Sequence, residues 1–159
     1  MIVYDETRPG KEDPDLVSLL KRRRNPLLSE TGLRKVLEEL TMKMSENILL
    51  YACAYPRENV RNLKEITAAD WEKTDIVLGS DNEKYLPVFT TVEKLHAFFP
   101  SLNPEAVIYM LNKKDILTYL NLNENTAAAV VNPTVDDLLL YRVNLTNLIQ
   151  VEQDMYSRN

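Results

Sequence analysis

Apolar residues recur along this chain with two different periods, and the changes between them mark out its elements. Leu16, Leu19 and Leu20 fall at i, i+3 and i+4, which predicts a helix opened by Asp13 or Asp15 and stopped before Pro26. Leu33, Val36, Leu37, Leu40 and Met44 trace a helical stripe through a second helix, running from about Ser29 to Met44. At Ile48 the period shortens. The run ILLYACAY is apolar at every position, as expected of a strand covered on both faces. Pro56 to Lys73 then reads as an irregular polar region that contains Trp71.

Asp75 to Leu78 and Tyr85 to Phe89 read as strands joined by the turn Gly79-Ser80-Asp81-Asn82, an antiparallel hairpin. Pro87 has no N–H to give a ladder, so its strand is expected at a sheet edge. Thr90 and Glu93 have the spacing of a capping box, which predicts a helix from Thr90 that buries Val92, Leu95 and Phe99 and stops at Pro100. Ala106 to Leu111 is a strand pattern, Asn112 is a cap with Asp115 three residues on, and Ile116, Leu117 and Leu120 give the following helix its buried face. With the apolar AAAVV beyond it, this stretch predicts a βαβ unit. Asn132 to Asp137 reads as a turn, Leu138 to Tyr141 as the returning strand, and Asn144 as the start of a last helix that packs Leu145, Leu148, Ile149 and Met155 inward. The expected fold is α/β: a mixed sheet of about five to six strands covered by helices. Residues 1–46 are expected to form a helical N-terminal extension, beginning with a segment from Met1 to Pro14 that is either a loose arm or packs late against the body, and packed on an α/β body spanning 47–159.

Composition narrows the class. A chain of 159 residues with 45% hydrophobic content is long enough to bury roughly two thirds of its unfolded surface as one globular unit. One cysteine, Cys53, allows no internal disulfide, and the opening residues lack the pattern of an export signal, so a cytoplasmic protein is expected. No apolar run is long enough to span a bilayer. A net charge of -5 opposes attraction to phosphate or anionic lipid, so neither nucleic acid nor a membrane is an expected partner. The basic run Lys21-Arg22-Arg23-Arg24 sits where cations favour a helix C-terminus.

Candidate chemistry is sparse. His96 lies on a helix flank with no orienting partner in view, and Cys53 lies in an apolar strand with no base nearby, so no catalytic residue is assigned. The glycines Gly10, Gly32 and Gly79 are too far apart for a phosphate loop or a dinucleotide fingerprint. One cysteine and one histidine do not make a common zinc site, and no cofactor or metal is expected.

Two segments carry a family resemblance. YLPVFTTVEKLHAF, followed by AAAVVNPTVDDLLL with KKDILTYL between them, is similar to the strand-helix junction and Asn-Pro hairpin of the SseB N-terminal domain family, over about Asn47 to Gln150. The matching residues are Pro87, Phe89 and Thr90 in the first segment and Asn132 and Pro133 in the second. The resemblance implies an α/β fold in bacterial cytoplasmic proteins linked by name to enhanced serine sensitivity, and it implies no particular enzymatic activity. Departures from the family are expected at both ends: helices before Asn47, and no room after the last helix for the second domain of longer members. The expected role is therefore a non-enzymatic interaction or regulatory module, binding another protein or a second copy of itself. Tyr85, Pro87, Thr90, Asn132 and Pro133 are its expected contact rim. The alternative is a sensor of a small metabolite, an amino acid such as serine.

Overall fold

The structure, a computed structural model, describes residues 1–7 and 12–158. The part of the expected N-terminal arm between them lies outside the described residues. The elements in chain order are β1 (Ile2–Val3), α1 (Pro14–Arg23), α2 (Glu30–Ser45), β2 (Leu50–Pro56), β3 (Trp71–Thr74), β4 (Val77–Leu78), β5 (Lys84–Val88), α3 (Val92–Phe98), β6 (Val107–Leu111), α4 (Lys113–Leu122), β7 (Thr126–Val131), β8 (Leu138–Tyr141) and α5 (Arg142–Ser157). The fold is mixed α/β, but the strands form two four-stranded sheets, ordered β1-β6-β2-β3 and β4-β5-β7-β8, in place of the single sheet expected.

The sheets meet at one point. Tyr51 and Phe89 exchange both backbone hydrogen bonds, each 2.8 Å, so β2 and the end of β5 join two ladders that otherwise go separate ways. The expected βαβ unit is not formed, because β6 and β7 lie in different sheets and the parallel neighbour of β7 is β5. The residues after Met1 are likewise part of the body. Ile2 and Val3 pair with Met110 and Tyr109 as the outer strand of the first sheet. The region expected to be irregular contains two short 3-10 turns and then β3, which Trp71 opens against Pro56.

Alternation along the strands sorts the side chains into three clusters. Leu50, Ala52 and Ala54 of β2, Tyr109 and Leu111 of β6, Leu86 and Val88 of β5, Ala129 and Val131 of β7 and Leu140 of β8 all face one shared core. Onto it pack Leu16, Leu19 and Leu20 from α1, Val36, Leu40 and Met44 from α2, Ile116, Tyr119 and Leu120 from α4, and Leu145 and Leu148 from α5. The two N-terminal helices are thus built into the same core as both sheets. The opposite face of the first sheet, Tyr51 and Cys53, packs with Phe89 and with Val92 and Leu95 of α3. The opposite face of the second sheet gathers Tyr85, Ala128 and Val130.

Local chemistry explains where the helices begin. Asp13 accepts from Asp15 and Leu16 amides, Ser29 from Gly32, and Asn112 and Asp115 bond each other's backbone at 2.8 and 2.9 Å. Thr91 caps α3, accepting from the Lys94 amide at 3.2 Å, one residue later than the sequence pattern indicates. α5 starts at Arg142, and Asn144 reaches back to accept from the Tyr141 amide at 2.9 Å. Lys113 is buried where α2 ends, donating to the Ser45 and Glu46 carbonyls at 3.2 and 2.7 Å and pairing with Glu152 at 2.9 Å. A cation at these free carbonyls is favoured by the helix dipole and ties α2, α4 and α5 together.

Candidate functional site

The turn between β7 and β8 holds the most strained backbone in the described chain. Asn132, Thr134 and Asp137 have φ of 49°, 68° and 50°, the left-handed region that costs residues with a Cβ and costs a β-branched residue most. The turn is held by the Asn132 carbonyl, which accepts from the amides of Val135 at 3.0 Å, Asp136 at 2.9 Å and Asp137 at 3.3 Å. The Thr134 amide donates to Asp137 Oδ1 at 2.8 Å. The Asn132 side chain is buried: its Oδ1 accepts from the Thr90 amide at 3.0 Å, and its Nδ2 donates to Thr90 Oγ1 at 3.0 Å and Asp136 Oδ2 at 2.8 Å. Thr90 is engaged here, 42 residues away in sequence, and leaves the cap of α3 to Thr91.

Two residues of the basic run complete the clamp. Arg23 donates to the Asp136 and Asp137 carbonyls at 2.8 and 3.3 Å, and Arg24 pairs with Asp136 Oδ1 at 3.2 Å. Asp136 is buried, so the cation and the Asn132 amide together offset the cost of holding its carboxylate away from water. Arg22 pairs with Glu39 at 3.4 Å. Three members of the basic run are therefore engaged within the protein.

Tyr85 lies apart from this turn. Its hydroxyl donates to Asp81 Oδ2 at 2.6 Å and also meets the Tyr141 hydroxyl, and the strand register sets Tyr85 and Tyr141 on either side of Ala128. The two rings thus shelter Ala128, which is fully buried on a face that no helix covers. The hydroxyl hydrogen bond holds the Asp81 carboxyl below its ordinary range, and the same bond pushes Tyr85 up. Pro87 is buried, and its strand is interior, between β4 and β7. Proline is tolerated there because Val88 faces β7, where its carbonyl accepts from the Asn132 amide at 2.8 Å, so Pro87 faces the other way. On that side β4 has already ended at its pair with Tyr85, and the bridge to β2 is made by the next residue but one, Phe89, with Tyr51.

Of the expected rim, then, the structure brings Thr90, Asn132 and Pro133 together and leaves Tyr85 on the sheet face. Tyr85, Pro87, Asn132 and Pro133 are buried and Thr90 is half-buried. Each has work inside the fold.

What the strained turn positions is β8, the outer strand of the second sheet. Leu138 and Leu140 face β7, so the N–H and C=O of Leu139 point away from the sheet. On one side of Leu139 the Asp137 carbonyl is taken by Arg23, and on the other the Tyr141 amide is taken by Asn144. The open edge is one residue wide. It faces a groove of about 270 Å³ lined by Leu37, Leu40, Thr41 and Met44 of α2, Leu138 to Leu140, and Asn144, Asn147 and Leu148 of α5. No charged side chain lines it, and Leu37 is 41% exposed. Sequence reasoning missed this groove because its walls come from three separated segments. The available signal was the triple leucine 138–140, which puts a leucine on each sheet face in any register.

Two other depressions are less suited to a ligand. A groove of about 470 Å³ between α1 and α2 is lined by Asp15, Glu38, Glu39 and Glu46, with its cations already committed: Arg22 to Glu39, and Lys43 to Asp13 at 2.8 Å and Glu46 at 3.2 Å. A cleft of about 260 Å³ reaches Thr90, Tyr51 and Asn47, but its carboxylates Glu12 and Asp13 pair with Lys94 and Lys43. His96 is exposed on α3. Cys53 is buried among Tyr51, Phe89, Val92 and Leu95, and burial, with the Asp75 charge second, pushes its thiol up to about 11. The indole N–H of Trp71 is buried without a hydrogen-bond partner, beside Tyr109 and Tyr119. Among the described residues no group of three or more His, Cys, Asp or Glu is gathered for a metal ion, and no helix is long and apolar enough to cross a membrane.

Comparison of the chain with protein-family models, with curated proteins and with solved structures finds no match.

Proposed function

We propose that this protein is a non-enzymatic interaction or regulatory module that docks a polypeptide in the groove between α2, β8 and α5. The observation that carries the reading is the groove itself: apolar, uncharged and beside an unpaired strand edge, in a chain with 27% charged residues. A space of about 150 Å³ is enough for a benzene molecule, so this groove has room for an aliphatic side chain. The SseB-like segments support the same role. On this reading the residues of that resemblance act from beneath the surface, with Asn132, Pro133 and Thr90 setting where β8 begins.

A photo-crosslinking residue placed at position 37 tests the proposal against one at position 122, where Leu122 is 56% exposed on α4 and lines no part of the groove. The expected result is a discrete polypeptide adduct from position 37 that is lost when Leu139 is changed to Asp. Adducts from both positions alike, or from neither, would remove the groove as a docking site.

A further inference from the structure

We draw no further inference here: the strongest candidate, the outer edge of β4, where Ile76 and Leu78 stand exposed at the margin of the second sheet, is an apolar strand edge unpartnered among the described residues, and nothing in the structure shows what covers it.

Discussion

The two sheets share a core but treat their opposite faces differently. In the first sheet the outward residues Tyr51 and Cys53 are closed over by α3 and by an aromatic stack in which Phe89 meets Phe98 and Phe99 at 5.8 and 6.0 Å. In the second sheet the outward cluster is built from strand residues alone, with Tyr85 and Tyr141 arched over Ala128. The first sheet is sealed by another element and the second by its own side chains. The second sheet is also the one whose outer edge, β8, is set by the strained turn and borders the open groove.

The strongest test of the contrast is the thiol of Cys53. If the first sheet is sealed, a thiol reagent at neutral pH should label it at least several thousandfold more slowly than the unfolded chain, in step with global opening. Labelling at the rate of an exposed thiol would show that α3 opens freely and would erase the contrast. The sign of the pH effect is fixed as well. The folded thiol titrates at about 11 against an ordinary 9.0, so its contribution to stability is full below 9.0 and is lost as pH rises toward 11.

Next in size is Asn132→Ala. It leaves the Thr90 amide and Asp136 short of a partner and keeps an alanine at φ 49°, which together should lower stability by about 3 kcal/mol in urea unfolding. A loss below about 0.5 kcal/mol would mean that the turn relaxes and does not define the edge of β8.

Smaller again is Gly79→Ala. A Cβ there would stand 2.6 Å from Asp81 Oδ1 and 2.7 Å from Tyr85 Cε2, so the Asp81–Tyr85–Tyr141 arch must shift. The expected cost is about 1–2 kcal/mol, read from the melting transition, together with an Asp81 carboxyl that returns toward its ordinary range by NMR titration. An unchanged Asp81 would show that the arch does not depend on the close approach of the ring to the glycine.

Much of the fold was legible because local rules decided it. The stripe Val36, Leu40 and Met44 is buried as its spacing requires, Ser29 and Asn112 cap the helices they precede, and the hairpin of β4 and β5 closes through Gly79 to Asn82. What failed was set by partners distant in sequence. Thr90 and Thr91 are equally good caps by composition, and only Asn132 decides which of them is free to cap. Period-two patterns likewise do not say which strand pairs with which, so the division into two sheets could not be read. The candidate surface was harder still. The expected rim was chosen by residue type, and proline, asparagine and threonine at a turn were drawn inward to satisfy strained backbone, while the open groove is made of leucines that look like ordinary core.

The clamp on the turn has a consequence for the order in which the protein is made. Arg23 and its Asp136 acceptor are 113 residues apart, so at translation rates of about 5–20 residues per second the arginine emerges roughly 6 to 23 seconds before its target. During that interval the tail of α1 has no carbonyls of the turn to hold. The last strand to be synthesised, β8, therefore completes a clamp whose cationic half left the ribosome long before it.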